Sequence, residues 1–165
     1  MKTNIPQRIA ALREAMRQQH VDAYIIPSSD PHLSEYPSDR WKSRAWISGF
    51  NGSAGTVVVT TDKAGLWTDS RYFLQAEAQL EGSGIDLYKM KLPETPSITE
   101  FLSHTLHEGQ CVGLDRRCYS AEEARDLEAV LAKQGIRLDS SADLMEQIWG
   151  DRPAIPANKI FRMPT

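Results

Sequence analysis

The sequence predicts a mixed α/β fold, a β-sheet flanked by helices on both faces. Three observations predict it. Thr56-Val-Val-Val-Thr-Thr61 is almost purely β-branched, which suits a central strand. Ile5, Ile9, Leu12 and Met16 form one apolar stripe at helical spacing. Ser97-Ile-Thr-Glu100 and Ser120-Ala-Glu-Glu123 are two capping boxes, with a short apolar run between them. Strands alternating with helices after one hairpin give such a sheet.

The elements follow in order. The first helix runs from about Pro6 to Gln19. Asp22-Ala-Tyr-Ile-Ile-Pro27 is too short for a helix and meets Pro-Ser-Ser-Asp-Pro, so it reads as a buried strand and a loop. Ser38 to Ile47 interleaves Trp41, Ala45 and Trp46 with polar residues and suits one or two helical turns. After the Thr56–Thr61 strand, Asp62-Lys-Ala-Gly65 reads as a four-residue hairpin connection, with Leu66-Trp-Thr68 as the return strand. Tyr72 to Leu80 is a helix stopped before Gly82-Ser-Gly84, and Ile85 to Met90 another strand. The two capped helices carry Ile98, Phe101, Leu102, Leu106 and then Ala124, Leu127, Leu131. Cys111 to Leu114 and Ile136 to Leu138 are strands, and Ala142 to Trp149 is a closing helix. Residues 1–150 are expected to form one domain. Asp151-Arg-Pro-Ala-Ile-Pro156 has two prolines and favours an extended stretch, so 151–165 reads as a linker towards a second domain.

Composition narrows the function. The chain has 165 residues, 41% apolar and 25% charged. That is one ordinary domain, able to bury roughly 70% of the surface of its unfolded form. A net charge of −3 without a basic stripe argues against nucleic acid and anionic membrane as partners. No run of about 18 apolar residues offers a membrane span. The start, MKTNIPQRIAALREAM, lacks an apolar signal core, so a cytoplasmic protein is expected. Cys111 and Cys118 fit neither a disulfide framework nor a metal motif and read as reduced, buried thiols.

Three clusters invite chemistry. Gly49-Phe-Asn-Gly52-Ser-Ala-Gly55 superficially resembles a phosphate loop. A phosphate cradle leads into a helix whose N–H groups face the anion, whereas a strand follows here, so the glycines serve positive φ and close backbone approach. Asp30-Pro-His32-Leu-Ser-Glu35-Tyr36 lies past the carboxyl end of a strand, where open α/β sheets place ligands. Its spacing matches no metal loop, which leaves solvated turn residues or groups pairing across an interface. In Asp69-Ser70-Arg71-Tyr72, Asp69 or Ser70 can cap the next helix. Arg71 falls in the first turn, where the helix dipole disfavours a cation, so it needs a specific partner. That partner is Asp69, Glu35 or Glu77, or else a substrate. His104 and His107, one turn apart, suit the end of a helix without any ligand. No nucleophile signature is present.

Taken together, Ala23-Tyr-Ile-Ile-Pro-Ser, Asp30-x-His32-x-Ser-Glu35-Tyr36, Gly49-Phe-x-Gly52-Ser-Ala-Gly55, Trp67-Thr-Asp-x-Arg71-Tyr-Phe-Leu-Gln-Ala and Ile148-Trp-x-Asp151-Arg-Pro resemble the long Xaa-Pro aminopeptidase (aminopeptidase P) family. Ser70 departs from the glycine common at that place. The resemblance covers nearly the whole chain, but only the non-catalytic beginning of such enzymes. It implies a creatinase/prolidase N-terminal-like domain, followed in the family by a similar second domain and a pita-bread catalytic domain. In the family that last domain holds two divalent metals, typically manganese, and a metal-bridged hydroxide attacks the bond before a proline in second position. This chain is then expected to be inactive and to hold no metal of its own. Its expected partners are its own C-terminal catalytic domain, a second copy in a homodimer and the peptide substrate. Asp30, His32, Glu35, Tyr36, Asp69 and Arg71 become candidates for an active-site wall or interface. The alternatives are an autonomous small-molecule or peptide-binding module and the N-terminal domain of a related prolidase or creatinase.

Overall fold

In a computed structural model, residues 4–141 and 143–159 are described. Helix α1 (Ile5–Gln18) leads to β1 (Ala23–Ile26), a long loop, a 3-10 turn at Asp39–Trp41 and α2 (Ser43–Ser48). Strands β2 (Thr56–Thr60) and β3 (Ala64–Thr68) form the hairpin. A 3-10 turn, Ser70–Tyr72, runs into α3 (Phe73–Leu80), followed by β4 (Asp86–Lys89) and α4 (Ile98–Thr105). After β5 (Cys111–Leu114) and α5 (Ala121–Ala132) come β6 (Arg137–Asp139) and α6 (Leu144–Ile148). Ala142, the predicted start of the last helix, lies outside the described residues, as do 160–165 of the predicted linker.

The six strands lie in the order β4-β3-β2-β1-β5-β6. β2 runs antiparallel to both β1 and β3, while the β3–β4, β1–β5 and β5–β6 pairs are parallel. Five strands therefore point one way and β2 alone points the other. This geometry gathers the loops that follow β1 and β3, and the glycine loop that precedes β2, at one end of the strands.

Alternation along the strands feeds two cores. Tyr24, Ile26, Val57, Val59 and Leu66 face α1, α3 and α6, which bring Ile9, Leu12, Met16, Ala76, Leu80 and Leu144. Ala23, Ile25, Val58 and Trp67 face α4 and α5, with Phe101, Leu102 and Leu131. Val57, Val58 and Val59 are fully buried, as a strand covered on both faces requires. Both predicted capping boxes are formed.

The hairpin connection is shorter than the predicted four residues, because Ala64 and Gly65 already belong to β3. Thr60 tightens the turn: its Oγ1 accepts the Lys63 amide at 2.9 Å and donates to Asp62 at 3.0 Å. Cys111 is buried as predicted, but Cys118 is only half-buried; both are free thiols. Burial pushes the Cys118 thiol up to about 12.

The predicted linker starts under constraint. Arg152, whose side chain is 4% exposed, pairs with Asp143 at 2.7 Å and Glu146 at 2.9 Å. Its Nε donates to the Arg40 carbonyl at 3.1 Å, while Arg40 Nη1 donates to the Pro153 carbonyl at 3.0 Å. Trp41 lies beneath the guanidinium groups of Arg117 and Arg152, 5.0 and 5.5 Å from its ring centre.

Candidate functional site

The clusters singled out in the sequence meet at this common end of the strands. The loop after β1 is organised by Asp30, which is buried. Its Oδ1 accepts the amides of His32 and Ser34, each at 2.9 Å. Burial alone raises a carboxyl's pKa, yet these amide bonds outweigh it and hold Asp30 below the usual carboxylate range. Asp30 is thus turned inward as the pin of its own loop. His32, Glu35 and Tyr36 are exposed, Tyr36 by 84%.

A cleft of about 300 Å³ opens between this loop and the glycine loop. Glu35 and Tyr36 line one side, Asn51 and Ser53 the other, with Lys42 just before α2 and Arg44 within it. Gly49 closes α2 in the left-handed region at φ 74°. Gly52 is needed for close approach: a Cβ there would lie 2.3 Å from Phe50 Cζ and 2.8 Å from Tyr72 Cδ1.

Arg44 holds the glycine loop from within. It is 5% exposed, and its Nε donates to Ser28 Oγ at 2.9 Å. Its two terminal nitrogens donate to the carbonyls of Phe50 and Gly52. Burial lowers its pKa to about 10. Sequence reasoning missed Arg44. The available signal was an arginine in a tryptophan-flanked helical stretch, with no acid three or four positions away to pair with it.

Asp69 and Arg71 sit beyond the glycine loop. Asp69 accepts the Arg71 amide at 3.1 Å, capping the 3-10 turn, and its carboxylate takes two side-chain bonds from Arg71 at 2.9 Å each. Of the three proposed acids, Asp69 is therefore the partner; Glu77 pairs with Lys89 at 2.5 Å. The Arg71 bonds hold Asp69 at about 2. Arg71 also lies 5.2 Å from the Tyr72 ring centre, and the Tyr72 hydroxyl meets Ser53 Oγ at 2.5 Å on the rim of the cleft. That bond, the largest influence on the Tyr72 phenol, lowers its pKa.

Tyr72 is the link the sequence did not suggest. Glu35 and Tyr36 share one cleft, Asp69 and Arg71 join its rim through Tyr72, and His32 stays on the outer surface. His104 and His107 are exposed. Among the described residues no group of three or more His, Cys, Asp or Glu side chains is placed to hold a metal ion. No described helix is long and apolar enough to cross a membrane.

Residues 8–148 match the model of the creatinase/prolidase N-terminal domain. A probable Xaa-Pro aminopeptidase P of Coprinopsis cinerea is 45% identical over 95% of this chain, which spans 25% of that protein. Aminopeptidase P2 of Arabidopsis thaliana is 43% identical over 96% of the chain, which covers 23% of its length. The crystal structure of X-prolyl aminopeptidase from Caenorhabditis elegans, described as a cytosolic enzyme with a di-nuclear active site, superposes with a TM-score of 0.87 at 30% identity. That match covers 93% of this chain and 27% of the worm protein's. The chain thus spans about a quarter of the length of these relatives, and it belongs to the creatinase/prolidase N-terminal domain family.

Proposed function

We propose that the chain is the non-catalytic N-terminal domain of a metal-dependent Xaa-Pro aminopeptidase of the cytoplasm. It stands beside an active site carried elsewhere in the protein, restricts which peptides reach it and contributes to a homodimer. One observation carries the reading. A domain that aligns along 95% of its own length with only 25% of an aminopeptidase P presents its exposed loop residues and its cleft at one end of its central strands. The exposed Leu33, Tyr36 and Leu74, at 53%, 84% and 83%, belong to the loops and the helix start after β1 and β3. Exposed apolar side chains near such a cleft suit contact with another protein surface. The reaction itself belongs to two divalent metals, manganese by family resemblance, held by a catalytic domain.

The test is a metal analysis and a proline-peptide assay of the chain alone, with sedimentation to read its oligomeric state. No turnover and no stoichiometric manganese are expected. One tightly held metal per chain together with cleavage of an Xaa-Pro bond would overturn the reading.

A further inference from the structure

Arg44 is a buried cation with no counter-ion among the described residues. A guanidinium carries five N–H groups, and three of them are bonded to Ser28, Phe50 and Gly52. Its central carbon lies 4.9 Å from the Phe50 ring centre. Among the described residues no carboxylate pairs with it, and the ionisable group that acts on it is the Tyr72 phenol. Carbonyl dipoles and a ring face solvate such a charge only in part, and buried charges ordinarily have an opposite partner.

The cleft above Arg44 opens to solvent. Lys42, at its mouth, is already matched by Asp39 at 2.6 Å. Glu35, across the mouth, has no bonded partner among the described residues. Asn51 and Ser53 offer an amide and a hydroxyl along the wall, and Trp41, Tyr36 and Pro37 offer apolar surface.

We propose that this cleft is a carboxylate subsite that takes the carboxyl end of a peptide, with the two unused N–H groups of Arg44 meeting its oxygens. A planar two-oxygen group matches the fork of a guanidinium. A volume of about 300 Å³ holds one or two residues, not a folded partner. Glu35 at the mouth selects against dianions such as phosphate, which it repels more strongly than a single carboxylate. The assignment rests on the reading of this end of the sheet as facing a peptide's path.

The experiment follows the Arg44 Nε–H resonance of the isotopically labelled chain during titration. The probes are N-acetyl-alanyl-alanine, the same dipeptide as its amide, and N-acetyl-aspartyl amide, whose only carboxylate is a side chain. Acetylation removes the amine that any aminopeptidase would need. The free acid should give a saturable shift with a Kd of about 1 mM, and the dipeptide amide none. Glu35→Gln should tighten the free acid several-fold by removing the competing carboxylate, and Arg44→Lys should weaken it about tenfold by removing the fork. No saturable shift with the free acid, an equal shift with its amide, or binding by the aspartyl compound alone overturns the proposal. If Arg44→Lys does not fold, the titrations of the parent and of Glu35→Gln decide by themselves. Failure here leaves turnover and metal content of the chain untouched, so it is distinguishable from failure of the aminopeptidase reading.

Discussion

Arg71 and Asp69 close on one another across a single residue, with the backbone amide, Nε and Nη2 of Arg71 all directed at one carboxylate. The arginine side chain nonetheless stays 67% exposed and the aspartate 30%. An ion pair in that setting adds little to stability, since water screens it. Its effect is to orient the guanidinium beside Tyr72 and the rim of the cleft.

Arg71→Ala should therefore lower the thermal midpoint of the chain only slightly near neutral pH, by about 2–4 °C at most. In a form of the protein that carries a catalytic domain, the same change should lower kcat/KM for proline peptides about ten- to a hundredfold at constant metal content. Normal kcat/KM per folded molecule would leave Arg71 as a brace for α3 only.

Protonation of Asp69 supplies a pH signature. Its folded pKa, about 2, is depressed by the Arg71 bonds below its ordinary value, which is about 3.9. The unfolded chain thus binds the proton more readily, and stability rises with pH through this window. The contribution is complete above about pH 5 and is lost progressively as pH falls through about 2. In Asp69→Asn this part of the acid limb of a melting-temperature profile should be missing.

Gly52→Ala should destabilise the glycine loop. The added methyl would fall against the fully buried Phe50 ring and against Tyr72. Neither ring can swing aside freely, so a loss of about 1–3 kcal/mol is expected in urea denaturation. Loss of the Ser53–Tyr72 contact should appear in the Tyr72 ring signals.

Val58→Asp buries a charge with no partner inside the face covered by α4 and α5. The cost should be several kcal/mol, comparable with the whole stability of a domain of this size. A variant that melted within a few degrees of the parent would contradict the central position of β2.

Much of this architecture was legible because period and capping are local. Ile9, Leu12 and Met16 announce the buried stripe of α1, and Ser97 and Ser120 fix the starts of α4 and α5 through bonds made within three residues. The hairpin was misjudged by its side chains: Thr60 and Asp62 shorten the turn, so that Gly65 lies in the strand, close to the Trp67 and Tyr88 rings. At the candidate site, the pairing of Arg71 with Asp69 was one of several readings because its sequence spacing allows other acids. Arg44 left only a faint trace, the missing acid three or four positions away, because two of its three bonds go to loop carbonyls and backbone oxygens leave no mark in residue identity. The inward turn of Asp30 had a trace, since aspartate readily binds amides two positions on.

The placement of β1 between β2 and β5 also orders the assembly of the molecule. Pairing Thr56 with Trp67 closes 11 residues of chain, whereas pairing Ala23 with Val112 closes 89. On loop-closure entropy alone the second step costs about 2 kcal/mol more. The hairpin with β1 and α1 is therefore expected to form early, and β5 with β6 to dock late. Ser29, which reaches the Cys118 carbonyl at 2.6 Å, joins the two halves only at that last step. A nascent chain would thus expose the open flank of β1 until more than a hundred residues had been synthesised, and the rate of refolding should respond to changes in β2 and β3 more than to changes in β6.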